Sequence, residues 1–137
     1  MRAVLDTNVL VSALLSRNGS PARLLSRWLA GEFELVVSEL LLTELERALA
    51  YAKVRARVPA DAAAELLDLL RTAAIVASDP SAPPPRSPDP GDDFLLALAE
   101  AERAVLVTGD RHLLELADRF PISTPRAFLE ALHRLPQ

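Results

Sequence analysis

The stretch Ala3-Val4-Leu5-Asp6-Thr7-Asn8 runs three apolar residues directly into an aspartate. Helical spacing starts immediately behind it, with Val9, Leu10, Ala13 and Leu14 on one stripe. A short, wholly apolar strand reads as a central strand of a parallel sheet, covered on both faces by helices. In such sheets ligands bind in the crevice outside the carboxyl ends of the strands. Asp6 stands at one such end. Further carboxylates converging on it would make the crevice a metal site.

Outward from this stretch, strands and helices alternate. Ser20-Pro21 offers a hydroxyl cap and then proline in the first helical turn, and Gly31 stops that helix. Phe33 to Val37 reads as a second strand, and Ser38 caps a helix running through Leu49 towards Val54. Asp61 to Ala73 forms a patterned helix and Ala74 to Ala77 a third strand. Six prolines from Pro80 to Pro90 make a stiff, extended surface connection. Asp92 or Asp93 then caps an apolar helix to about Glu102, and Ala104 to Val107 is a fourth strand. Thr108-Gly109-Asp110 leads into a short helix to Asp118, Pro121 to Ser123 forms a brief fifth strand, and Thr124-Pro125 opens a last helix to about Leu135. The expected class is α/β: a three-layer α/β/α sandwich around a central parallel sheet of four to five strands, one domain over residues 1–137.

Composition narrows the function. Half the residues are apolar and a quarter charged, as in ordinary globular proteins. No apolar run is long enough to span a membrane, and the first residues lack the basic, apolar and small-residue pattern of a signal peptide, so none is expected. The absence of cysteine excludes disulfides, thiolate metal sites and a cysteine nucleophile, and fits a cytoplasmic location. The net charge of −4 is unevenly spread. Residues 1–57 carry eight basic against six acidic side chains, and the remainder seven against thirteen. This balance argues against a protein that grips nucleic acid by bulk charge alone, but does not exclude an enzyme that meets phosphates with metal ions and a few arginines.

The acids that can carry chemistry are Asp6, Glu44, Asp92, Asp93 and Asp110. Asp6 and Asp110 follow strands, and all four aspartates stand where a helix starts, so each also has a plain reading as a cap. Glu44 lies off the polar row formed by Glu39, Thr43 and Glu46, with Leu40, Leu41 and Ala48 on the rim of the apolar stripe. A carboxylate there is expected to be partly desolvated unless it reaches water or pairs with Arg47. A set of oxygen ligands suits Mg²⁺ or Mn²⁺, and such an ion supports phosphodiester hydrolysis without a side-chain nucleophile.

Asp6-Thr7-Asn8, Glu44 in a helix, Asp92-Asp93-Phe94-Leu95-Leu96-Ala97 and Thr108-Gly109-Asp110, in that order, resemble the PIN-domain nucleases, and most of all their VapC-like toxin branch. The resemblance covers essentially the whole chain. It implies a metal-dependent endoribonuclease with Asp6, Glu44, Asp93 and Asp110 as catalytic and metal-holding acids. The family's third motif places its acid three residues before an aliphatic–alanine pair, and Leu96-Ala97 selects Asp93. Asn8 and Thr108 then become outer polar or substrate contacts, and Asp89 and Asp92 stand as outer ligands. The same resemblance implies RNA as substrate, a cognate antitoxin protein, a homodimer, and products bearing a 5′-phosphate and a 3′-hydroxyl.

Two further readings compete. An aspartate-nucleophile phosphatase normally has a second acid two residues after the first, where this chain has Asn8, and needs a placed lysine, of which Lys53 is the only one. A catalytically degenerate PIN-like domain would bind a partner or RNA without cleaving it, but would not be expected to keep all four acids. His112 and His133 read as surface residues, and Trp28 and Phe33 as core. Arg23 and Arg27, one turn apart, could meet phosphate or the acids of a partner. With Arg17, Arg47, Arg55 and Arg57 they make the N-terminal half the expected docking surface of an antitoxin.

Overall fold

The computed structural model describes residues 1–81, 85, 86 and 90–134. Asp89, Leu135 and most of the proline-rich connection lie outside the described residues. In chain order the elements are β1 (Arg2–Leu5), α1 (Thr7–Leu15), α2 (Ser20–Leu29), β2 (Glu34–Ser38), α3 (Glu39–Ala50), α4 (Ala52–Arg55), α5 (Ala60–Ala73), β3 (Ile75–Ala77), α6 (Pro90–Ala101), β4 (Val105–Val107), α7 (Arg111–Leu114), β5 (Ile122–Ser123) and α8 (Pro125–His133).

All strand pairs are parallel, and the sheet order is β3-β2-β1-β4-β5. Ala3, Val4 and Leu5 are fully buried, as a central strand covered on both faces requires. From β1 the chain steps outward through β2 to β3; from β4 it steps the other way to β5. The direction of winding therefore reverses between β1 and β4, which leaves a crevice at their carboxyl ends. Right-handed crossovers place α1, α2, α3 and α5 on one face and α6 on the other. Accordingly α1 packs against α2 and α3, and α6 against β1 and β4.

The core joins Leu10, Leu24, Leu42 and Leu45 to the sheet residues Leu35, Val36 and Leu106. Phe33 and Phe128 meet edge to face, with centroids 5.2 Å apart, and seat α8 beneath α2. Trp28 is buried in the same core.

Several boundaries differ from the sequence reading for local reasons. The residue capping α2 is Gly19, not Ser20, and Ser20 already lies in the first turn. The helix after Ser38 does not run unbroken to Val54: Tyr51 turns extended, with φ −62° and ψ 140°, and separates α3 from α4. Asp92 and Asp93 are not caps, because α6 already starts at Pro90 and both stand in its first turn. Proline at the start of a helix is a recognised signal that sets this earlier boundary. The helix after Asp110 ends at Leu114 rather than Asp118. Ser38 and Thr124 cap as expected, accepting the amides of Leu41 and Ala127.

Candidate active site

The crevice between β1 and β4 is built outward from one buried side chain. Asp6 follows β1 and keeps the sheet going for one more bond, its amide donating to the Val107 carbonyl at 2.9 Å. Its side chain is 7% exposed. It occupies the capping position of α1, yet its carboxylate makes no capping hydrogen bond. Instead Oδ2 accepts the Thr108 hydroxyl at 2.8 Å. Thr108 is fully buried after β4, and its Oγ1 in turn accepts the Asp110 amide at 3.0 Å. One threonine thus ties the two strand ends together.

Burial pushes the Asp6 carboxyl above its ordinary range, because a charged carboxylate loses hydration there. The Thr108 hydroxyl and the backbone around Asn8 pull the other way, and the negative charge of Asp110 adds to the rise. A carboxylate held in this way is an unfavourable anion that a cation would stabilise.

The other acids are each held by a donor. Asp110 does cap α7, its Oδ1 accepting the His112 amide at 2.9 Å. Glu44 Oε2 accepts the Thr7 hydroxyl at 3.2 Å, which links α3 to the start of α1. Glu44 is exposed, so the expected desolvation does not occur, and its partner is Thr7 rather than Arg47. The apolar stripe of α3 centres on Leu41, Leu42, Leu45 and Leu49, while Leu40 is 48% exposed, leaving Glu44 on the solvent side of the rim. Asp93 is 5% exposed, and its Oδ1 accepts the Arg86 amide at 2.7 Å from the proline-rich connection.

Asp6, Asn8, Glu44, Asp92 and Asp110 line a single cleft of about 370 Å³. Asp93 is not among its lining residues; it sits within the first turn of α6. Thr7, Arg47 and Tyr51 line the cleft too; the sequence singled out Arg47 only as a partner for Glu44 or an antitoxin, and gave Thr7 and Tyr51 no role of their own. Arg47 follows Glu44 by three residues, so it shares the helix side that Glu44 presents; this was the available signal. Among the described residues, no three acid or histidine side chains stand close enough to surround one ion.

The donor set nevertheless suits a hard divalent cation. All its members are oxygens, Asp6 is destabilised as an anion, and Mg²⁺ is commonly held by one or two carboxylates while it keeps several waters. His112 and His133 are both exposed, as expected. Lys53 is exposed on α4 and does not line the cleft, so the lysine that an aspartate-nucleophile phosphatase requires is not supplied there.

A PIN domain family model matches residues 2–112. Comparison with curated proteins gives no match. Among solved structures, the chain is similar to VapBC2 from Rickettsia felis, crystallised with a DNA fragment from its promoter, at 20% identity and a TM-score of 0.60, covering 90% of this chain and 97% of that one. It is also similar to a protein from Pyrobaculum aerophilum at 22% identity and a TM-score of 0.65, covering 98% and 100%. A PilT N-terminus domain protein from Sulfolobus solfataricus matches at 15% identity and a TM-score of 0.58, covering 100% and 98%. At these identities the three likenesses concern the fold.

Proposed function

The chain belongs to the PIN-domain family, and from that premise we propose that it is a metal-dependent endoribonuclease acting as the toxin of a toxin–antitoxin pair. The observation that carries the reading is the buried Asp6, joined through Thr108 to the start of the Asp110 segment where the sheet reverses its winding. That is where an α/β sheet binds its ligand, and Asp6 there is a destabilised anion.

Asp6, Glu44, Asp93 and Asp110 would hold Mg²⁺ or Mn²⁺, with Asp92 as an outer contact. The bound ion supplies an acidified water and a counter-charge for the phosphate. The chain supplies position. Thr108 aims Asp6, Thr7 aims Glu44, and the buried neighbours of Asp6 exclude solvent from its inner side. Asn8 and Arg47 are both exposed and both line the cleft, which supports them as contacts for the phosphate or ribose of a strand lying across it. The register of Leu96-Ala97 favours Asp93 as the third acid, whereas the cleft wall presents Asp92.

An unregulated ribonuclease would damage its own cell, so a cognate antitoxin covers the site in this reading. The likeness to VapBC2 supports such a partner. The protein works as one domain, as a homodimer, in the cytoplasm. Among the described residues, no helix is long and apolar enough to cross a membrane.

The deciding experiment is cleavage of structured RNAs by the purified protein with Mn²⁺ and with EDTA. Cleavage that needs the metal, and leaves 5′-phosphate and 3′-hydroxyl ends, is the expected result. Products with a 2′,3′-cyclic phosphate would rule out the metal-water route. Binding without cleavage at any metal concentration would favour the degenerate reading.

A further inference from the structure

A second and larger cleft, of about 920 Å³, opens at the other end of α1. Its walls come from the α1–α2 turn, from α2 and from α8, and include Arg17, Arg23, Arg27 and Arg126. Among the described residues, Glu130 is the only carboxylate that lines it. This concentration of positive charge stands out in a chain with a net charge of −4.

The four arginines are not equally engaged. Arg27 Nη1 donates to both oxygens of Glu32, at 3.0 and 3.1 Å, and its Nη2 lies 3.1 Å from His133 Nε2. Arg126 pairs loosely with Glu130 at 3.7 Å, both exposed. Arg17 and Arg23 are exposed and take part in none of the ion pairs among the described residues. Their guanidinium groups are therefore free to meet an anion. The neighbouring Asn18, Ser20 and Ser26 add neutral hydrogen-bonding groups.

The two clefts lie toward opposite ends of one helix. Asn8, Ser12 and Ser16 are spaced four apart and all exposed, so they form a polar strip along α1 and just past its end. Nine residues of helix separate the ends by about 14 Å. A chain of phosphates following this strip could have one phosphate at the acidic cleft and others, a few nucleotides away, among the arginines. An acidic protein segment would also match the charge. However, the strip of uncharged polar groups leading to the catalytic acids suits a sugar–phosphate backbone better, because a run of carboxylates would end against Asp6, Asp92 and Asp110.

We infer that the cleft between α2 and α8 binds the phosphate backbone of single-stranded RNA remote from the cleaved bond, with Arg17 and Arg23 as its principal contacts. This rests on the ribonuclease reading for its direction, but its test does not depend on cleavage. The protein carrying Asp6→Asn is titrated, in EDTA, into a fluorescein-labelled single-stranded RNA of about 12 nucleotides, and anisotropy is followed from low to high salt. Adding Arg17→Ala and Arg23→Ala should weaken binding roughly tenfold at low salt. It should also make the slope of log K against log salt shallower by about 1.4, the value for two single-strand phosphate contacts. Arg119→Ala, an exposed change elsewhere, should do neither.

Unchanged affinity and slope in the double variant, with melting temperature preserved, would overturn the assignment. So would unchanged RNA binding together with loss of copurification with a cognate antitoxin, which would make this surface a protein-docking site. Failure of the ribonuclease reading looks different: the unmutated protein would leave RNA intact in Mn²⁺ while arginine-dependent RNA binding persisted.

Discussion

The cleft at the amino end of α1 is assembled from carboxylates that arrive from four separate parts of the chain, whereas the cleft at its carboxyl end is lined by arginines of nearby helix faces. In the first, Asp6 is buried and hydrogen-bonded to Thr108, and its neighbours leave it little freedom. In the second, Arg17 and Arg23 stand in solvent without partners among the described residues. The difference teaches that the sheet topology brings Asp6 and Asp110 to one edge, where α3 and α6 add Glu44 and Asp92, while the second cleft is a matter of helix faces alone. Change in the first should be all or nothing, and in the second graded.

The largest effect is expected at the acidic cleft. Asp6→Asn and Asp110→Asn should each lower Mn²⁺-dependent cleavage by at least about a thousandfold, since each removes a charge but little volume. A residual rate within tenfold of the parent for either would mean that these two acids do not carry the chemistry.

The next comparison lies within α6. Asp93→Asn should abolish cleavage, while Asp92→Asn should mainly weaken it. Equal losses would remove the register argument from Leu96-Ala97, and a reversed order would hand the role to the residue that lines the cleft. Both variants should fold, because neither aspartate is a cap and Asn is tolerated in a first helical turn.

Thr108→Val deletes the hydroxyl that aims Asp6 and accepts the Asp110 amide. Activity should fall by about tenfold to a hundredfold, and stability by about 1.5–3 kcal/mol, the range for a buried hydrogen bond to a charged group. Wild-type cleavage by this variant would show that Asp6 is positioned by α1 alone.

A smaller effect concerns stability rather than rate. The folded state raises the Asp6 pKa above the ordinary 3.8, so it holds that proton more tightly than the unfolded chain does. Stability is therefore lost as pH rises from about 3.8 through the raised value, and the loss is complete above it. In EDTA at neutral pH, Asp6→Asn should be more stable than the parent by on the order of 1 kcal/mol, and the gap should close as pH falls towards 3.8. Mn²⁺ should reverse the order, because it stabilises only the protein that binds it. Equal melting shifts with Mn²⁺ in both proteins would remove Asp6 from the metal site. At the bottom of the scale, Arg17→Ala alone should change stability by less than about 0.5 kcal/mol, as an exposed side chain without partners among the described residues.

The acidic cleft was legible in the sequence because apolar runs ending in Asp6 and Thr108-Gly109-Asp110 mark strand ends, and strand order then fixes their meeting. Glu44 was found for an incomplete reason. Periodicity placed it beside the apolar stripe, but only the packing of α1 on α3 shows that Thr7 holds it in solvent. The break at Tyr51 carried no glycine or proline to announce it. The basic cleft was legible only in part. Arg17, Arg23 and Arg27 were visible as a charged surface, but Arg126 joins them through the docking of α8 on α2, a contact that no local pattern encodes.

The pairing of β1 with β4 has a consequence for synthesis. Ala3 lies opposite Val105, so the middle of the sheet joins residues far apart along the chain. Contacts of such long range form late and slow folding, and a chain emerging from its amino end presents β1 long before its second neighbour exists. Asp6 and Asp110 lie on either side of that closure. A nascent or truncated chain lacking β4 therefore cannot assemble the acidic cleft. On the ribonuclease reading the protein stays inert beside the ribosome until β4 and the Asp110 segment are made, which leaves time for a protective partner to be waiting when it folds.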